Sequence, residues 1–127
     1  MAQFYNFLNN FCWFSFMVLN NFTAMKRIHL ISFNLNGCRQ SFKRAQVLEC
    51  LDQKRVGVAL LQETHSDVSN DPDWRADWKG KCVLSHGSNN SAGVAVIFEP
   101  GLEVDILKTE EIILKVTAKI EDFSYIF

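Results

Sequence analysis

The sequence predicts an α/β protein. Three observations carry that prediction: a short apolar run at 28–33, a stretch of helical periodicity at 41–54, and a second, unbroken apolar run at 56–61. Strand, helix, strand in this order is the repeating unit of α/β folds. The 127 residues suit one ordinary domain. With 48% hydrophobic and 21% charged residues, the chain has the composition of a folded protein, not a disordered one. A formal net charge of −1 excludes a globally basic nucleic-acid binder and leaves room for a local basic patch.

Ile28 to Phe33, with His29 and Ser32 inside it, reads as a mostly buried strand, and Asn34-Leu35-Asn36-Gly37 ends it with turn-prone residues. A helix fits Ser41 to Lys54. Phe42, Ala45, Leu48 and Leu51 recur at helical spacing as its core face, while Lys43, Arg44, Glu49 and Asp52 are expected to reach solvent. Ser41 is the expected N-cap, and Lys54 and Arg55 suit the negative end of the helix dipole. Val56 to Leu61 suits an interior strand covered on both faces. Gln62 to Asp73 is polar, contains Pro72 and reads as a loop; Trp74 and Trp78, four apart, fit one face of a short helix packed on the sheet. Cys82-Val83-Leu84 and Gly93 to Phe98 read as two strands joined by a hairpin-like turn at Gly87 to Ser91. Leu102 to Leu107 and Ile112 to Ile120 read as further strands, and Phe123 to Phe127 as a strand beginning or continuing.

The charges divide the chain. The first is Lys26, whereas six of the eleven Phe lie within the first 22 residues. Residues 1–24 therefore read as an apolar leader, and 25–127 as the domain. Three readings of the leader stand open: a signal or membrane anchor through Phe4 to Phe22, sequence translated upstream of a natural start at Met25, or an extra packed helix. Against a signal, there is no basic n-region, and Phe22-Thr23-Ala24 is a poor cleavage site. Against a spanning helix, Asn6, Asn9, Asn10, Asn20 and Asn21 interrupt the run, and its only clean apolar stretch, Phe11 to Leu19 with Ser15 inside it, falls far short of the ~20 residues a bilayer needs. Cys12, Cys38, Cys50 and Cys82 allow two disulfides arithmetically, but the spacings are wide and no clear secretion signal is present; free, packed thiols are expected.

Polar residues gather after two strands: Asn34 and Asn36 after the first, Gln62-Glu63-Thr64-His65 after the second. In α/β proteins, sites form beyond the carboxyl ends of strands. A carboxylate there can hold a hard cation such as Mg²⁺, which needs only one or two carboxylates and completes its octahedron with water and phosphate oxygens. An amide carbonyl from Asn34 could support that shell. The competing readings are a solvated or ion-paired loop carboxylate for Glu63 and turn chemistry for both Asn. His65 and His86 read as polar or supporting residues, not metal ligands. Asp67, Asp71, Asp73 and Asp77 read as a solvated acidic loop, without the EF-hand pattern.

Ile31-Ser32-Phe33-Asn34-Leu35-Asn36-Gly37, a basic helix and Leu60-Leu61-Gln62-Glu63-Thr64-His65, followed by Ser91 to Phe98, together resemble the endonuclease/exonuclease/phosphatase family. Within it, the chain is most similar to the apurinic-endonuclease-like domain of non-LTR (LINE-type) retrotransposon polyproteins, over roughly 26–120. The resemblance implies a four-layer α/β sandwich, two packed mixed sheets flanked by helices, of which this chain matches the first half. It implies Mg²⁺- or Mn²⁺-dependent cleavage of DNA, no small-molecule cofactor, and a nuclear or cytoplasmic setting. By the same resemblance, Asn34 and Glu63 are catalytic and hold the metal. Asn36, Arg39 and Lys43 contact the nucleic acid.

The family also carries a Tyr in a Tyr-Ala-Pro-Asn-like segment, a Gly-Asp-x-Asn-like segment and a final Asp-His pair. This chain stops before them, and neither Gly-Asp-x-Asn nor Ser-Asp-His occurs in it. The expectation is a nicking endonuclease fragment that is inactive and poorly soluble as it stands. The alternatives are a non-catalytic remnant or binding module of the same fold, and a small membrane-associated protein anchored by 4–22.

Overall fold

A computed structural model describes residues 12–20, 24–87, 92–110, 115–120 and 123–126, with side chains described over 28–87 and 92–106. The chain is α/β, as expected. Strands β1 (Cys12–Asn20), β2 (Ala24–Asn34), β3 (Val58–Gln62), β4 (Cys82–Ser85) and β5 (Val94–Phe98) form a mixed sheet in the order β1-β2-β3-β5-β4. Among the described residues only the β2–β3 pairing is parallel. Helix α1 (Ser41–Gln53) makes the crossover between those two strands, because a parallel pair cannot be joined by a tight turn. A 3₁₀ turn (Val68–Asn70) and helix α2 (Asp71–Asp77) follow β3. Strands β6 (Val104–Glu110), β7 (Lys115–Ile120) and β8 (Phe123–Ile126) form an antiparallel sheet, with a register shift between Ile106 and Lys108.

Sequence and structure part company first in the leader. Residues 12–20 form a strand, paired along its whole length with β2 from Cys12↔Ser32 to Asn20↔Ala24. The helix of the anchor and packed-helix readings is therefore replaced over those residues. Trp13, Phe14, Phe16 and Val18 are residues that favour a pleated surface. Residues 1–11 and 21–23 of the leader lie outside the described residues, as do most of the turn at Gly87 to Ser91, the start of the run at Ile112, and Phe127. Among the described residues no helix is long and apolar enough to cross a membrane.

Alternation along the strands sends side chains to two faces. Ile31, Phe33, Ala59, Leu61, Ala95 and Ile97 pack under α1 and the two tryptophans. Ile28, Val58, Val96 and Phe98 face the other way and meet Val104, with Leu102 and Ile106 alongside. So β3 is covered on both faces, as its unbroken apolar run predicts. Trp74 and Trp78 are buried, and the Trp78 indole N–H donates to the Phe98 carbonyl at 2.8 Å, tying the exit of α2 to the end of β5. Cys38, Cys50 and Cys82 are free and buried; burial pushes the Cys38 thiol up to about 11 and the Cys82 thiol up to about 12.

The face of α1 is not the one expected. Its buried residues are Arg44, Val47, Leu48, Cys50 and Leu51, while Phe42 is 72% exposed and Ala45 is also exposed. A strict step of three drifts round a helix by 60° each time, so 42-45-48-51 does not stay on one stripe. The spacing 44-47-48-51 does. Arg44 is buried because Asp77 accepts from its Nε at 2.6 Å, the Arg39 carbonyl accepts from Nη1 at 3.0 Å, and the Trp74 ring lies 5.9 Å from the guanidinium carbon. Ser41 is the first helical residue, not the cap; Gln40 holds the cap position without a side-chain hydrogen bond.

The end of α1 explains why β3 starts at Val58 and not Val56. Arg55 takes a left-handed conformation (φ 51°). The Val56 N–H then bonds the Leu51 carbonyl (3.1 Å), and the Arg55 N–H bonds that of Asp52 (3.0 Å). These are the two hydrogen bonds of a Schellman cap, with Val56 and Leu51 supplying its apolar contact in the core. A side chain at that left-handed position costs about 1 kcal/mol relative to glycine. The Arg55–Glu99 pair (3.6 Å) involves a well-exposed arginine and offsets little of it. Arg55→Gly is expected to raise the thermal midpoint by roughly 3–5 °C; a lowered midpoint in a calorimetric scan would refute this cap.

Candidate metal centre

Three loops meet at the carboxyl ends of β2 and β3. Asn34 stands opposite Gln62 in the last register pair of the two parallel strands. Beyond it the ladder continues through the loops: the Leu35, Gly37 and Cys38 N–H groups donate to the carbonyls of Gln62 (2.8 Å), Glu63 (2.7 Å) and Thr64 (2.8 Å). On the other side, the Thr64 and His65 N–H groups donate to the Gly93 (3.1 Å) and Ala92 (2.9 Å) carbonyls, just before β5. The segment after β3 is thus held from both flanks by main chain.

The backbone here is strained. Among the described residues, five non-glycine positions have positive φ, and four belong to these loops: Asn36 (48°), Glu63 (53°), His65 (53°) and Ala92 (59°). Gly37 and Gly93 adopt the same region. Each such residue costs on the order of 1 kcal/mol or more, and clustering of that strain is a mark of functional sites.

The structure places the expected residues as follows. Asn34 is exposed, and its Oδ1 accepts the Asn36 N–H at 2.9 Å. Glu63 is about two-fifths exposed, and its Oε2 takes both a hydrogen bond with His65 Nε2 (2.8 Å) and the Ala92 N–H (3.2 Å). Those bonds, that from His65 first, hold the Glu63 carboxyl below the usual range and keep it ionised at neutral pH. Lys43 donates to the Leu35 carbonyl at 2.7 Å and the Asn36 carbonyl at 3.3 Å, so its ammonium is fixed on the Asn34–Gly37 loop. Arg39 pairs with Asp67 at 2.6 Å. Asn34, Asn36, Lys43 and Glu63 therefore share one edge of the fold, while the Arg39 guanidinium is engaged by the acidic segment. Among the described residues no group of three or more His, Cys, Asp and Glu side chains could hold a metal ion. A carboxylate and an amide carbonyl are nevertheless hard oxygen donors of the kind and number that Mg²⁺ takes from protein.

The acidic segment is not a solvated loop. Besides Asp67–Arg39, Asp77 pairs with Arg44 (2.6 Å), and Asp71 pairs with Arg75 (2.5 Å) and His86 (3.1 Å). His86 also reaches Ser66 Oγ at 3.3 Å, and Ser66 reaches Thr64 Oγ1 at 2.9 Å, both hydroxyls being buried. This hydroxyl–imidazole–carboxylate chain braces the loop after β3 from below. His86 already read as a supporting residue in the sequence, whereas nothing there singled out Ser66 or Ala92.

Hydrogen bonds from Ser69 and then Arg39 pull the Asp67 carboxyl down to about 2, and Arg75, followed by His86, lowers that of Asp71 against opposing burial. A carboxylate with a depressed folded-state pKa stabilises the fold above its unfolded value, near 4, and loses that contribution as pH falls through the folded value. Urea midpoints are therefore expected to be flat from about pH 7 to 5 and to fall between about pH 4 and 2; in Asp67→Asn the fall is shallower. An identical acid limb in that variant would remove Asp67 as a contributor.

No family model matches the chain. Over 86 residues it is 33% identical to the Transposon TX1 uncharacterized 149 kDa protein of Xenopus laevis. The alignment covers 68% of this chain and 7% of that protein. The chain thus spans a small part of the relative it matches, and what it resembles is a transposon-encoded protein.

Proposed function

We propose that this chain is a retrotransposon-derived segment carrying the metal-holding half of a Mg²⁺-dependent DNA endonuclease domain, with strands β6–β8 as the opening of the second sheet of a four-layer sandwich. The observation that carries the reading is the edge where Asn34 and Glu63 stand at the ends of adjacent parallel strands, in loops whose main chain is strained and doubly bonded. Similarity to a transposon protein supports the origin.

Glu63 and Asn34 would hold the cation, which when bound neutralises charge on a phosphodiester and orients it for hydrolysis. This chain's own residues do the positioning. Glu63 stays ionised, Asn34 presents its amide at the strand end, and Lys43 adds a fixed positive charge beside Asn36. Lys43 is thereby placed to draw in a phosphate, although its ammonium also serves the loop carbonyls. Arg39 is available to DNA only if it leaves Asp67.

The segments that the resemblance assigns to water activation and the leaving group do not occur in the 127 residues. The expected result is cation binding without turnover. Titration calorimetry with Mg²⁺ should show binding that Glu63→Gln weakens at least tenfold, and a supercoiled plasmid should stay intact with the chain and Mg²⁺. Unchanged binding in Glu63→Gln would sink the metal reading. Nicking that depends on Glu63 would place a complete activity in this chain.

A further inference from the structure

We infer that His65 is a positioning residue, which orients the Glu63 carboxylate so that Oε1 is the oxygen offered to the cation. The inference rests on the proposal that Glu63 holds a metal. An ionised carboxylate only accepts, so the 2.8 Å contact has Nε2–H of His65 donating to Oε2. The Ala92 N–H reaches the same oxygen at 3.2 Å. Two donors converging on one oxygen fix the plane of the group and leave its other oxygen turned away from them.

His65 is itself held. Its side chain is 17% exposed, its backbone sits at φ 53°, and its N–H is bonded to the Ala92 carbonyl at 2.9 Å. The imidazole lies on the bare face of Gly37: a Cβ there would stand 2.9 Å from His65 Nδ1. Gly37 also has φ 87°, so that position excludes a side chain on two counts. The glycine closing Asn34-Leu35-Asn36-Gly37 thereby makes room for the histidine closing Gln62-Glu63-Thr64-His65. The two motifs act as one unit, in which a loop from β2 seats the residue that aims a carboxylate from β3. Groups that orient a metal-binding carboxylate commonly change metal affinity by 10–100-fold when removed.

The test uses the full chain and Mn²⁺, with free Mn²⁺ read by electron paramagnetic resonance, and a metal-free melting midpoint for each variant. Glu63→Gln should abolish binding. His65→Ala should weaken it 10–100-fold. His65→Gln should recover most of the loss, because its amide nitrogen reaches as far as Nε2. Binding lost in Glu63→Gln but unchanged in His65→Ala overturns the positioning role alone. Equal losses in His65→Ala and His65→Gln, with both melting midpoints lowered, also overturn it, since that pattern belongs to a structural role. No binding by the unaltered chain, or none lost in Glu63→Gln, overturns the cation site and this inference with it.

Discussion

Asp77→Ala is expected to lower stability by roughly 3 kcal/mol, the lower end of the range for removing one partner of a buried ion pair. Arg44 projects from α1 into the core with 4% of its side chain exposed, and Asp77 meets its Nε at 2.6 Å, while Asp73 lies 4.0 Å away. Asp77 is the last residue of α2, where the helix dipole disfavours a carboxylate. Its presence there is explained by Arg44. Without it the guanidinium keeps the Arg39 carbonyl and the Trp74 face but loses its main counter-charge. The lower end of the range applies because the Asp77 side chain is 37% exposed and water can partly replace it. At a urea slope of about 1.5 kcal/mol/M, the midpoint should fall by about 2 M. Arg44→Met/Asp77→Ala should be more stable than Asp77→Ala alone, since it leaves no unpaired buried charge. A midpoint within about 0.3 M of the unaltered chain would show that the pair contributes little.

Gly93→Ala is expected to be comparably damaging, at about 2–5 kcal/mol. Two penalties combine. The backbone has φ 86°, where a side chain costs about 1–2 kcal/mol. The new methyl would stand 2.3 Å from Thr64 Oγ1, and overpacking of that kind costs about 1–3 kcal/mol. Thr64 cannot retreat, being fully buried, bonded to Ser66 through its hydroxyl and to the Gly93 carbonyl through its N–H. Adding Thr64→Ala should recover the steric part and leave the backbone part. Urea unfolding of the single and double variants separates the two; a double variant no more stable than Gly93→Ala would mean that the clash is not the cause.

Much of the sheet was legible from local pattern. Unbroken apolar runs marked β3 and β5, and turn-prone and polar residues marked the exits of β2 and β3; the start of β2 at Ala24, four residues before the apolar run at Ile28, was not marked. That Asn34 and Glu63 fall at neighbouring strand ends was readable because a crossover brings both motifs to one edge of the sheet. The helix face was not readable. Choosing 44-47-48-51 meant placing an arginine in the core, and the carboxylate that permits it lies 33 residues later. The same separation hid the acidic segment's role: Asp67 and Asp77 look like loop charges until α1 is folded against them. The strand at 12–20 was obscured by its Asn-flanked apolar composition, which suits a poor leader as readily as a strand. In the candidate site, Glu63 and Asn34 carried motif signals, whereas the Ala92 N–H that helps fix Glu63 comes from main chain and leaves no mark in residue identity.

The three site loops are aligned by carbonyls and amides, which every residue but proline supplies. Mutational drift at 34, 63 and 65 would therefore erase the proposed cation site while the surrounding architecture persisted. Among diverging copies of such a segment, shape would outlive chemistry, and an intact silhouette would be a poor witness to a living site. The informative comparison between copies is the identity of those few side chains, not the superposition of their backbones.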